Sequence, residues 1–249
     1  MKIASFEEKI YRGAFEYFKS KNLFAEETFE VFRDKRDMSY RFQAKCRGRV
    51  STGEILVTDL NYRITKDFVP IEVTIDKTLG VQKIRERFLT LKNKSKVTYT
   101  FAEISVESDE EIGDVHEETF QVPPKFHILT HSAISSLFYI KSKKFDTTAK
   151  NYYICIASSN LWSFEKTPEI RTIAVERLTN LAESVKLGDS NVEGHKFKDY
   201  NYEAKAPEDE IPPFLELVGS PHLSIPYIVE SEDGNLAQIK YLNHMDSDG

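Results

Sequence analysis

His127 and His131 stand four residues apart in PPKFHILTHSAISSLFYI, residues 123–140, where Phe126, Leu129, Ala133, Leu137 and Ile140 recur at helical spacing. On one helix the two imidazoles would share a face and could hold a metal ion. The metalloprotease pattern needs a Glu directly after the first His, but Ile128 occupies that place. The nearest further ligand is His116, in an acidic stretch, so polar capping or partial burial is the expected role and no metal or other cofactor is expected. That stretch carries Glu103, Glu107, Asp109, Glu110, Glu111, Asp114, Glu117 and Glu118, with no Lys or Arg between Lys96 and Lys125. It lacks the alternating ligands and central Gly of an EF-hand loop and reads as a solvated loop with its tip at SDEEIGD, residues 108–114.

The remaining chemistry is sparse. Cys46 and Cys155 are too few for a disulfide framework or a four-Cys zinc site. Both lie in apolar-patterned strands, so buried free thiols are expected, with one disulfide left open. A basic stripe of Arg41, Lys45, Arg47 and Arg49, extended by Lys83, Arg85 and Arg87, could meet an anion or pair with acids on neighbouring strands. There is no Gly-x-Ser-x-Gly elbow, phosphate-binding loop or dinucleotide fingerprint, so no catalytic residue is assigned. The lone Trp162 reads as core or as a pocket wall.

These residues sit in a chain of 249, 40% apolar and 30% charged, long enough for a sizeable core and expected to form one domain over 1–249. A net charge of −6 argues against a nucleic-acid partner. No stretch approaches the ~20 apolar residues of a transmembrane helix. MKIASFEEKIYRG has no apolar leader core, so the chain is either cytoplasmic or an envelope protein whose leader has been removed.

The dominant pattern is the two-residue period of half-buried strands. IYRGAFEYF reads as a first strand before a turn at Lys19–Asn22, with a helix as the alternative. LFAEETFEVFRD and MSYRFQAKCRGRV form a hairpin around Asp34–Asp37. Closing it there pairs Val31 with Tyr40, Phe29 with Phe42 and Ala25 with Cys46, and Glu30 with Arg41 and Glu26 with Lys45 on the wet face. GEILVTDLNYRI and KDFVPIEVTID form a second hairpin with Lys66-Asp67 at its tip, pairing Ile64 with Val69, Tyr62 with Ile71 and Leu60 with Val73. A third sets Phe88 against Tyr99 and Thr90 against Val97 across Lys92–Ser95. Pro123-Pro124 then opens the segment predicted as a helix over about 125–140, apolar on two sides through Ile128, Ile134 and Phe138.

Strands follow in NYYICIASSNLWSFEK, RTIAVERL and GHKFKDYNYEA, and the chain closes with a hairpin turning at Asp233-Gly234, where Pro226 suggests an edge strand. The fold class expected is mainly β: a long antiparallel meander curled into an open or half β-barrel, with the 125–140 helix packed against it.

This order, a meander, then PPKFHILTHSAISSLFYI, then more strands and a final IPYIVE-type hairpin, resembles an uncharacterised bacterial family of cell-envelope proteins with an open, half-barrel sheet. That family is similar in shape to the lipoprotein carriers LolA and LolB. The resemblance covers roughly residues 10–243. It implies a concave apolar sheet face that holds acyl chains or another apolar ligand, and it carries over no catalytic residues.

The expected function is therefore non-catalytic binding or carriage of an apolar or amphiphilic, lipid-like small molecule. Tyr40, Phe42, Leu60, Tyr62, Ile71, Val73, Phe88 and Tyr99 would line the pocket. An enzyme with its site in the same cavity, and a protein-interaction module using a sheet edge, are the alternatives.

Overall fold

The computed structural model describes residues 6–91, 95–142, 144–158, 168–179, 181–187, 190–202, 214–220 and 224–245. Trp162 and the tip of the third hairpin lie outside them. Eight strands follow one another as a meander: β1 (Glu7–Lys19), β2 (Asn22–Asp34), β3 (Tyr40–Arg49), β4 (Ile55–Ile64), β5 (Pro70–Leu79), β6 (Gln82–Thr90), β7 (Lys96–Ile104) and β8 (Glu111–Gln121). The second half comprises β9 (His127–Leu129), the helix α1 (Phe138–Ser142), β10 (Asn151–Ala157), β11 (Glu169–Arg177), β12 (Glu183–Leu187), β13 (Ser190–Asn201), β14 (Phe214–Gly219), β15 (Pro226–Ser231) and β16 (Asn235–His244). β16 pairs with β1, joining the halves into one continuous sheet that starts at β8, ends at β9 and does not close; β12 pairs with β13 beside that path. Every pairing is antiparallel except β9 with β10. The architecture is the open, mainly β one expected.

Alternation builds the faces. Phe42, Ala44 and Cys46 on β3, Leu60, Tyr62 and Ile64 on β4, and Val73 and Ile75 on β5 are buried, and the residues between them face outward. β1 and β2 are joined by a tight turn in which Ser20 and Lys21 both have positive φ, the handedness that suits a two-residue hairpin loop. At Gly234, φ is +79°, as the Asp-Gly signal requires.

The first two hairpins form on the expected faces but with different partners. Val31 pairs with Phe42, Phe29 with Ala44, Glu30 with Gln43 and Thr28 with Lys45, two residues away from the expected register. The cause is a wider turn. Asp34 donates its N–H to the Ser39 carbonyl and accepts the Met38 N–H, and Met38 takes φ of 60°. A shift of two preserves the faces because the side-chain period is two. The outer ion pairs change accordingly: Arg41 pairs with Glu7, Lys45 with Asp59 at 3.2 Å, Glu30 with Lys9, and Glu26 with Lys240 at 3.1 Å.

In the second hairpin Tyr62 pairs with Val73 and Leu60 with Ile75. A turn over Thr65–Phe68 and a bulge that leaves Ile71 without a β4 partner absorb the difference. The third hairpin has the expected register, Phe88 with Tyr99 and Thr90 with Val97. The acidic segment departs from a loop: only 105–110 turn, and Glu111–Gln121 is strand β8. Pro226 opens β15, which lies between β14 and β16, so it does not mark an edge.

The segment after Pro123-Pro124 packs against the sheet as expected, but its helix is shorter than the predicted 125–140. It runs as β9, a 3-10 turn at Ala133–Ser135 and α1. Ser132 caps the turn by accepting the Ile134 N–H, and Ser135 Oγ bonds back to the Ser132 carbonyl, which favours a turn over a continuous helix. We call 122–142 the strap. Phe126, Ile128, Ile134 and Phe138 bury it in the same core as Phe42, Tyr62 and Phe88.

Candidate functional site

The strap covers the concave face of β1–β7, and that face has two chemically different parts. The first is aromatic. Phe138 lies 4.4 Å from Phe42, 5.2 Å from Tyr62 and 6.1 Å from Phe68, centroid to centroid, and Phe68 stacks on Tyr40. The Tyr62 hydroxyl ties the strap down by donating to the Ile128 carbonyl at 3.0 Å and accepting the Ile128 N–H at 3.2 Å. Of the expected pocket residues, Phe42, Leu60, Tyr62, Val73, Phe88 and Tyr99 are buried together here and Tyr40 packs at the margin. Ile71, displaced by the bulge, lies outside this cluster.

The second part is a polar seam. Glu27, Cys46, Thr58 and Lys77 are successive register partners across β2, β3, β4 and β5, all pointing inward, with Glu86 on β6 beside them. Lys77 Nζ is 3.1 Å from Glu86 Oε2, and neither side chain is exposed. Tyr99 donates to Glu86 Oε1 at 3.3 Å and Ser158 to Oε2 at 3.1 Å. Glu27 accepts from Ser132 of the strap at 2.6 Å and from Tyr17 at 3.2 Å, while Tyr17 accepts the Ala133 N–H at 3.0 Å. Burial pushes the Glu27 carboxyl up to about 7, with the hydroxyls of Ser132 and Tyr17 opposing the rise. His131 is driven down to about 3 by desolvation and the nearby Lys77 ammonium. Its Nδ1, and the Thr58 hydroxyl opposite Lys77, are buried with no hydrogen-bond partner.

The seam has a readable signature. Glu27 alternates in phase with Ala25 and Phe29, Lys77 with Val73 and Ile75, and Glu86 with Ile84 and Phe88. A charged residue in the inward phase of three strands is the signal that could have located it.

The histidines do not share a helix. His127 is on β9, its ring 5.9 Å from each of Tyr139 and Tyr153, and His131 follows β9. His127 is the direct ladder partner of Cys155, and Tyr139 donates to the buried Asp199 at 2.5 Å, which places Cys, His and Asp in one region. Burial, reinforced by the Asp199 charge, pushes the Cys155 thiol up, opposite to what a nucleophile needs. Cys46 is raised by burial too, and both cysteines are free and buried, as expected. Among the described residues no three His, Cys, Asp or Glu side chains converge as a metal site. The basic stripe is largely met by acids: besides Arg41 and Lys45, Arg85 pairs with Asp76 at 2.7 Å, Arg87 with Glu72 at 2.7 Å, and Lys83 with Asp109. Among the described residues no helix is long and apolar enough to cross a membrane.

No protein-family model matches the chain, and no curated protein matches it. Solved structures similar in fold include two at low sequence identity. One is a beta-barrel-like protein of the domain of unknown function DUF1849 from Brucella abortus, with a TM-score of 0.53 and 10% identity over 96% of this chain and 98% of that one. The other is a DUF1089 family protein from Pseudomonas aeruginosa, with a TM-score of 0.50 and 12% identity over 84% of this chain and 90% of that one. They share the barrel-like architecture that the sequence resemblance implies.

Proposed function

We propose that the protein is a non-catalytic binder of an amphiphilic, lipid-like small molecule, held between the concave sheet face and the strap. The observation that carries this is the juxtaposition of the aromatic part with the polar seam. A core selected for stability alone gains nothing from a buried Lys77–Glu86 pair, since hydrophobic replacements of similar volume are often neutral or stabilising. It gains nothing either from buried polar atoms without partners at Thr58 and His131. An amphiphile needs both parts: Phe42, Tyr62, Phe88 and Val73 for its chain, and the Thr58–Lys77–His131 corner for its polar end. Phe138 fills the space the chain would take, so binding requires the strap to move and carry Phe138 away. Of the remaining expected pocket residues, Leu60, Tyr99 and Tyr40 extend this surface, and Ile71, displaced by the bulge, does not. Carriage within a cell envelope is the setting this function would suit.

Displacement of a fluorescent fatty-acid probe by monoolein or oleate tests it. Saturable probe binding, strengthened in Phe138→Ala, is expected. No saturable binding by either the native chain or that variant would overturn it.

A further inference from the structure

β8 is a free edge of the sheet: β7 pairs with one side of it, and among the described residues no strand pairs with the other. Val122 donates its N–H to the Ser95 carbonyl at 3.0 Å, which sets the phase of the ladder. Phe120, Glu118 and His116 then exchange backbone hydrogen bonds with β7. Gln121, Thr119 and Glu117, in the other phase, aim their N–H and C=O groups away from it. An 11-residue strand with such an edge is a template for a further strand.

Charge decides which strand it accepts. Glu111, Asp114 and Glu117 are exposed on β8, and Glu107 and Glu110 on the turn before it. No Lys or Arg occurs between Lys96 and Lys125. Among the described residues none of these five acids has an ion pair, whereas Asp109 has Lys83 and Arg85. Elsewhere on the sheet acids are met by cations: Glu7 by Arg41, Glu72 by Arg87 and Asp76 by Arg85. A second copy of β8 would set acid against acid, which is destabilising. Ile112 and Val115, also exposed, offer apolar contact along the same strand.

We propose that the β8 edge docks an extended basic segment of a partner protein, added to the sheet as a further strand. The backbone of that segment bonds to Glu117, Thr119 and Gln121, and its Lys or Arg side chains meet the unpaired acids. Lys or Arg alternating with apolar or hydroxyl residues suits the two faces of such a strand. Docking there requires neither an amphiphile nor movement of the strap.

The test is fluorescence anisotropy of the full chain with the labelled peptide KTKVKTKV at low salt. Saturable binding that weakens with added salt is expected. The same peptide N-methylated at alternate backbone amides keeps its charge but cannot pair as a strand, and should not bind. Nor should ETEVETEV. Thr119→Pro removes an N–H aimed away from β7 without breaking a ladder bond, and should abolish binding. Glu111→Gln with Glu117→Gln should weaken it by about tenfold. Circular dichroism establishes that each variant is folded, and the methylated peptide tests strand addition on the native chain. Absence of saturable binding by KTKVKTKV overturns the proposal. Equal binding of the methylated peptide also overturns it, since charge alone would then explain the attraction, and so does equal binding by folded Thr119→Pro.

Discussion

Lys77 Nζ and Glu86 Oε2 meet at 3.1 Å inside the fold, on adjacent strands, with both side chains out of contact with solvent. Removing one partner strands the other as a buried charge. Lys77→Met should therefore destabilise the protein by about 3–5 kcal/mol, whereas Lys77→Met combined with Glu86→Leu should fall within about 1 kcal/mol of the native chain or exceed it. Urea unfolding of the two variants checks this. A double variant as unstable as the single one would show that the pair contributes net stability.

Glu27 makes stability depend on pH. Its folded pKa, about 7, lies above its ordinary 4.5, so the folded state holds a proton that the unfolded chain releases. Stability from this group is full below about 4.5, falls as pH rises to about 7 and then levels, a change on the order of 3 kcal/mol. His131 works the other way: its folded pKa is depressed to about 3, so its contribution falls as pH drops below its ordinary 6.5. Comparison with Glu27→Gln isolates the first effect. The variant should gain on the native chain between pH 4.5 and 7. Parallel stability curves over that interval would contradict it.

Gly13 is required by close approach. A methyl group there would meet the Phe29 ring and the Tyr241 carbonyl well inside contact distance. Gly13→Ala should cost roughly 1–3 kcal/mol through overpacking, measured by thermal unfolding. An unchanged midpoint would mean that β1 and β16 are less tightly apposed than described.

Phe138 is the strap's main anchor, buried against Phe42, Tyr62 and Phe68. Phe138→Ala should lower stability by about 3–5 kcal/mol. Addition of an amphiphile that occupies the vacated space should recover part of that loss. Recovery by hexane-like apolar additives and not by amphiphiles would argue for a simple cavity.

Much of the architecture was legible because strand faces follow a period of two, which survives errors in pairing. Phe42, Tyr62 and Val73 lie on the buried face that alternation predicts even though their ladder partners lie two residues from the expected ones. The partners depend on turn geometry, and neither the left-handed Met38 nor the bulge at Ile71 has a local signature. The strap misled in extent because Phe126, Ala133 and Leu137 are apolar through burial in the sheet-and-strap core, and helical spacing is only one way to produce that pattern. Thr130, Ser132 and Ser135 bond locally in its middle and turn the chain. The aromatic part of the site followed from alternation. The seam did not, because Glu27, Lys77 and Glu86 break the rule that inward positions are apolar, and such breaks are expected where function outweighs stability.

The most direct test of amphiphile binding on the concave face is native mass spectrometry of the protein before and after incubation with monoolein and with oleate. A one-to-one adduct of lipid mass is predicted for the native chain, and its loss in the Lys77→Met/Glu86→Leu variant, which removes the charged pair from the polar seam. A bare chain mass in every sample, with the protein folded by circular dichroism, would contradict it.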